Sequence, residues 1–333
     1  MRTASAEQTH FDQKYSGICK SLEQEFLDIT RGLAPRSLYD PLRYVLKGGG
    51  KRIRPVLLVL SCEAVGGTLS GAIHAAAAIE ILHNFTLVHD DIMDNAGSRR
   101  GRKTVHTKWD TNIAILVGDE LLALAYRELL KTTSPRMKEI AQLFTQGVVE
   151  VCEGQALDKE FESRKRVAVQ DYLVMIQKKT GKLIAISAEI GGLVGSATKN
   201  ELDALRTFGE FLGRAFQIQD DLLDIVGDER ELGKQVGSDL QEGKKTFLLL
   251  EGLRLATGKD KTRLREVMLN GGVPRGRIKE FRKMYEKCGA LESAREHIRC
   301  DTEHARAALA RLRPGTSREM LSSLTDVLLH RTY

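Results

Sequence analysis

The chain has 333 residues, 42% of them hydrophobic and 29% charged, which is enough for one large core or two ordinary domains. Aromatic residues are only 5%, which suits a helix-rich protein built on Leu, Ala, Val and Ile and speaks against a β-sandwich. The formal charge of +6 names no partner by itself, because acidic and basic residues are both clustered along the chain.

From the N-terminus, MRTASAEQTHFDQKYSG lacks an apolar core, so no secretory signal is expected. Residues 1–20 read as an N-terminal extension, and 21–333 as a single helical domain without a long linker. Breaks are expected at LAPRSLYDP (33–41), KGGGKRIRP (47–55), the glycine pair 66–67, DNAGSRRGRK (94–103), TTSPR (132–136), GDERELGKQVGSD (227–239) and NGGVPRG (270–276). The most apolar stretch, 71–88, carries His74, Glu80, His83 and Asn84. A spanning helix needs ~20 mostly apolar residues, so this stretch reads as a buried core helix and no transmembrane segment is expected. Residues 138–158, 167–190 and 201–226 place apolar residues at three- and four-residue steps. The predicted class is all-α. The five cysteines (Cys19, Cys62, Cys152, Cys288, Cys300) are odd in number and far apart, which predicts a reduced set and a cytoplasmic protein.

One short repeat stands out: DDIMD at Asp90–Asp94 and DDLLD at Asp220–Asp224. Each falls at the end of an apolar helical pattern. In a helix, residues i and i+4 share a face, so Asp90 lies beside Asp94 and Asp220 beside Asp224. Asp91 and Asp221 are rotated by about 100°. Like charges at this spacing repel, and a helix C-terminus disfavours anions. A hard cation resolves the conflict, because magnesium takes carboxylate oxygens together with substrate phosphates. A solvated acidic helix end is the bland alternative.

Basic loops accompany these motifs. Gly48-Gly49-Gly50-Lys51-Arg52-Ile53-Arg54-Pro55 joins flexible backbone to three cations, a pattern suited to phosphate, although a plain surface turn has the same composition. It lacks the ending of a Walker loop. Arg99-Arg100-Gly101-Arg102-Lys103 follows the first acidic motif closely. A nucleic-acid patch is disfavoured there by the adjoining aspartates and by the absence of any nucleic-acid-binding signature. Lys178, Lys179 and Lys182 flank Thr180; Gln217 stands three residues before Asp220; Lys234, Asp239, Lys244 and Lys245 follow the second motif. Glu80 and His83 form a Glu-x-x-His unit of the kind used by di-iron bundles, but its other copy, Glu7 to His10, lies in the polar first segment.

From Lys47 to Lys245 the motifs GGGKRIRP, LVHDDIMDNAGSRRGRKTVH, KKTGKL, FQIQDDLLD and GKQVGSDLQEGKKT, in this order, resemble the trans-isoprenyl diphosphate synthases. The resemblance implies an all-α bundle around a central cavity, a homodimer, and a head-to-tail condensation of isopentenyl diphosphate with an allylic diphosphate. It implies Mg2+, as three ions, with Asp90, Asp94 and Asp220 as principal ligands and Asp91, Asp221 and Asp224 in support. It gives Lys51, Arg54, His83 and Arg100 to isopentenyl diphosphate. Arg99, Lys179, Thr180, Gln217, Lys234 and Lys244 go to the allylic diphosphate, with Arg99, Lys179 and Lys234 in the catalytic set. Asp239 is similar to a residue that orients this last loop.

Phe85 lies five residues before Asp90, about 7.5 Å along the helix axis, and Thr86 is small. In the family, bulky residues here act as a floor under the growing chain. The short first motif and one aromatic at this place resemble a geranylgeranyl diphosphate synthase of archaeal type; farnesyl and longer products are the alternatives. A class I terpene cyclase usually carries a different second motif and has no second diphosphate pocket. A non-catalytic partner subunit tends to lose one acidic motif, and this chain keeps both.

Overall fold

The computed structural model describes residues 2–228 and 236–329, with side chains from residue 10 onward. Among them the secondary structure is helical apart from one two-residue hairpin. The helices are α1 (Arg2–Ile29), α2 (Arg36–Leu46), α3 (Ile53–Ala64), α4 (Leu69–Met93), α5 (Val105–Lys108), α6 (Thr111–Leu129), α7 (Met137–Ser163), α8 (Val169–Ile176), α9 (Lys182–Val194) and α10 (Lys199–Val226). After 229–235 come α11 (Ser238–Gln241), α12 (Phe247–Leu255), α13 (Gly258–Asn270), α14 (Ile278–Lys287), α15 (Ala290–Leu309) and α16 (Thr316–Leu329). All five cysteines are free thiols.

The chain forms two compact units: one from Met1–Val148, Ile186–Arg206 and Arg311–Ser323, the other from Val149–Ala185, Thr207–Ala310 and Leu324–Tyr333. In the first unit α4 is the central helix and lies against α1, α3 and α6. It starts where the Thr68 hydroxyl accepts the Gly71 amide at 3.2 Å, a side-chain N-cap. Ala72 and Ala75–Ala78 are fully buried, and their small side chains let neighbouring backbones approach. By length and composition α4 could cross a membrane; 67% of its most apolar stretch is buried inside the protein, as a core helix requires. Gly118 on α6 completes the contact, since a Cβ there would sit 2.1 Å from Nε2 of His89. Helix α1 runs through the predicted extension, with Phe11, Ile18 and Leu22 buried.

One expected break is helical. Residues 33–41 contain two prolines, yet α2 begins at Arg36 and carries Pro41 internally. Burial of Leu42 and Leu46 on one face outweighs the hydrogen bond that Pro41 removes.

In the second unit glycines set the packing distances. A Cβ on Gly209 would lie 2.6 Å from the Ala185 Cα, and one on Gly213 would lie 2.6 Å from the Gly181 Cα, so α10 rests directly on the backbone of the segment at 181–185. Helix α12 lies against α8, α13, α14 and α15, with Phe247, Leu248 and Leu249 buried.

Candidate active site

In the first unit, α4 ends where the sequence places DDIMD: Met93 is its last residue and the Asp94 amide still donates to the Asp90 carbonyl at 2.8 Å. Asp90 is half-buried and Asp94 exposed. Asp91, rotated away from them, is buried and accepts a 2.7 Å hydrogen bond from Nε of Arg99. Burial raises its pKa, and Arg99 opposes that shift. The expected loop after the motif is a tight hairpin, Ser98–Arg99 paired antiparallel with Arg102–Lys103. Its central residues, Arg100 and Gly101, both have positive φ, as a two-residue turn of this twist requires.

The glycine loop and the hairpin meet. Arg100 donates to the Gly49 carbonyl, and Gly50 has φ +127 with the Arg100 guanidinium where a Cβ would project. No residue but glycine fits there. Arg54, in the first turn of α3, lies with Nη1 3.2 Å from Nε2 of His83 on α4. Nε of Arg54 is buried without a protein acceptor. Burial brings the Arg54 pKa down to about 10. Burial, then Arg54 and Arg100, hold His83 well below the usual imidazole range, so its ring is neutral at physiological pH. Lys51 is exposed on the same loop. Arg54, His83 and Arg100 thus lie near one another with an unsatisfied buried donor among them, the electrostatic signature of an anion site, and Lys51 stands on the adjoining loop.

The di-iron alternative fails on geometry. Glu80 is ion-paired with Arg52 and His83 faces Arg54, while the Glu7 side chain lies outside the described residues. Elsewhere in this unit Glu25, His74 and Glu128 bring donor atoms within 4.8 Å of one another, and the Lys131 ammonium, 2.7 Å from Oε2 of Glu128, joins the cluster as a counter-charge.

In the second unit the residues of DDLLD take different positions. Asp220 is half-buried. Asp221 is 4% exposed and accepts hydrogen bonds from the Tyr172 hydroxyl, the Phe247 amide at 3.0 Å and the Gln217 amide at 3.1 Å. Burial and then Asp239 push its carboxyl up to about 7, against the pull of these three donors. Asp224 is 1% exposed and accepts from the Ser238 hydroxyl at 2.8 Å and the Asp239 amide at 3.1 Å. The two buried aspartates therefore cap the starts of α12 and α11 respectively, where helix dipoles favour anions.

KKTG forms a π-helical turn, Gln177–Gly181, between α8 and α9; such turns gather at functional sites. It carries Lys179, paired with Asp158, and Thr180, whose hydroxyl donates to Oε1 of Gln217 at 2.9 Å. Gly154 on α7 makes room for it: a Cβ there would lie 2.3 Å from the Lys179 amide nitrogen. If this turn faces the allylic diphosphate that the sequence resemblance implies, Gly154→Val should displace it and raise KM for that substrate by about tenfold or more, read by steady-state kinetics with the primer varied. Lys244 lies 2.9 Å from Glu242 and 3.5 Å from Asp239. Lys234 lies outside the described residues.

Three residues escape a sequence reading. Tyr172, Asp158 and Ser238 have no signal separating them from ordinary core or surface residues; only their partners mark them.

A model of the polyprenyl synthetase family matches residues 35–285. The short chain isoprenyl diphosphate synthase of Methanothermobacter thermautotrophicus is 39% identical over 327 residues, which cover 96% of this chain and 98% of that protein. The geranylgeranyl pyrophosphate synthase of Geoglobus acetivorans is 41% identical over 322 residues, covering 94% and 97%. A crystal structure of geranylgeranyl pyrophosphate synthetase from Pyrococcus horikoshii superposes with a TM-score of 0.92 at 36% identity, covering 97% of this chain and 99% of that one. The paired aspartate motifs and the cationic pocket thus sit in a chain that such enzymes match along nearly its whole length, and the chain belongs to the polyprenyl synthetase family.

Proposed function

We propose that the protein condenses isopentenyl diphosphate with an allylic diphosphate and releases geranylgeranyl diphosphate. The observation that carries the reading is the pocket around Arg54, whose buried Nε has no protein acceptor beside neutral His83 and the Arg100 hairpin. A diphosphate oxygen supplies that acceptor. The relatives named for geranylgeranyl diphosphate synthesis support the product.

The donor set of the acidic motifs fits magnesium, because each offers three carboxylates. Asp90, Asp94 and Asp220 would hold the metal, since they are the more accessible carboxylates of the two motifs, whereas Asp91, Asp221 and Asp224 are buried. When bound, magnesium neutralises the departing diphosphate. Lys51, Arg54, His83 and Arg100 hold the diphosphate of the isopentenyl substrate. Arg99, Lys179, Thr180, Gln217, Lys234 and Lys244 address the allylic diphosphate. The allylic C–O bond breaks, the isopentenyl double bond forms the new C–C bond, and a proton leaves to the released diphosphate. Apolar walls keep water from the allylic cation.

Phe85 is the floor for the growing chain. Its ring is buried edge-on to His89, with centroids 4.8 Å apart, and the Thr86 hydroxyl turns back to the His83 carbonyl at 2.8 Å. Phe85→Ala should lengthen the product beyond twenty carbons, as mass spectrometry of the chain-length profile would show; a wild-type profile would remove Phe85 from this role. The enzyme acts in the cytoplasm as a homodimer, for which the exposed Ile115 and Leu116 on α6 offer an apolar surface. Analytical ultracentrifugation distinguishes dimer from monomer.

A further inference from the structure

Arg52 stands between the two cations of the glycine loop, yet its side chain turns away from them. It is only 5% exposed, and the side chain of Glu80, its partner on α4, only 3%. Nη1 donates to Oε1 of Glu80 at 2.7 Å, and Nη2 donates to the Leu46 carbonyl at the end of α2 at 2.8 Å. The guanidinium carbon lies 5.1 Å from the centroid of the Phe26 ring on α1. One planar fork thus ties three helices together, a geometry that a lysine ammonium does not reproduce.

The backbone shows what this tie does. Arg52 has φ +47, a left-handed conformation costly for a residue with a Cβ and kept only where surroundings over-determine it. Arg52 stands between Lys51 and Arg54 in the chain, as the N-cap of α3, so the anchored fork fixes the backbone from which both cations leave. Glu80 stands one helical turn before His83, and the Asn84 side chain donates to the Glu80 carbonyl at 2.7 Å. The same helix therefore carries both the anchor and the imidazole that meets Arg54. Glu80 is also the buried anion that offsets the neighbouring Arg54 and Arg100 charges.

We infer that Arg52 is a positioning residue: through Glu80 and the Leu46 carbonyl it fixes the spacing between Lys51 and Arg54 on the loop and His83 on α4, and so sets affinity for the isopentenyl diphosphate. The inference rests on the assignment of that substrate to this pocket.

The test is steady-state kinetics on the full chain with each substrate varied in turn. Arg52→Lys keeps the charge and loses the fork. It should raise KM for isopentenyl diphosphate ~10-fold or more, while kcat at saturation and KM for the allylic primer change less than ~3-fold and the melting midpoint stays within a few degrees of wild type. An unchanged KM for isopentenyl diphosphate overturns the inference. A parallel loss of kcat, both KM values and the melting midpoint also overturns it, because it marks Arg52 as a general structural residue. If Arg52→Lys does not fold, Glu80→Gln, which keeps shape and an acceptor for Arg52, is held to the same split in KM. A wild-type chain that does not consume isopentenyl diphosphate refutes the assignment of the pocket; wild-type turnover with a normal KM in the variant refutes the role of Arg52 alone.

Discussion

Asp90→Asn should lower kcat by about a thousandfold or more while leaving the melting midpoint near that of wild type. A metal held by this carboxylate would contribute several kcal/mol of charge stabilisation, at about 1.36 kcal/mol per tenfold in rate. Asp90 is half-buried at the last turn of α4, so exchanging one oxygen for an amide disturbs no buried core. Asp220→Asn should behave alike. Single-turnover kinetics with saturating substrates separate this loss from weaker binding. A kcat within tenfold of wild type for both variants contradicts the assignment of these carboxylates to the metal.

Asp221→Ala is expected to act on stability first, although it neighbours Asp220. Removing a carboxylate that is 4% exposed strands the Tyr172 hydroxyl and the Phe247 amide. Each buried donor left without an acceptor costs about 1–3 kcal/mol, so the loss is about 3 kcal/mol and the melting midpoint falls by several degrees. Adding Tyr172→Phe removes one stranded hydroxyl and should recover part of the loss. Differential scanning calorimetry of wild type and the two variants decides it. If Asp221→Ala melts like wild type but is as inactive as Asp220→Asn, Asp221 belongs to the chemistry rather than to the cap of α12.

These two expectations mark where the sequence was legible. Helix class and the two aspartate motifs at helix ends follow from local rules of period, breaks and charge clustering, while the resemblance those motifs carry is what grouped Arg54, His83 and Arg100, which lie near one another. The i, i+4 rule places Asp90 with Asp94 and rotates Asp91 away, and the structure adds that the rotated residue is the one paired with Arg99. The same rule groups Asp220 with Asp224, yet Asp224 is buried by Ser238 and Asp239, which lie beyond the helix in sequence. Contacts of that separation leave no local signal. Arg52 is the plainest case: inside GGGKRIRP it reads as a third phosphate-binding cation, and only Glu80, 28 residues away, shows that it faces inward. The helix at 36–46 was hidden for a related reason, because propensity reports Pro41 and is silent on the burial of Leu42.

The most direct test of the central claim is incubation of the purified chain with Mg2+, isopentenyl diphosphate and, separately, five-, ten- and fifteen-carbon allylic diphosphates, with products identified by mass spectrometry. The expected product is a twenty-carbon diphosphate that disappears when isopentenyl diphosphate is omitted. Absence of condensation with every primer would contradict it.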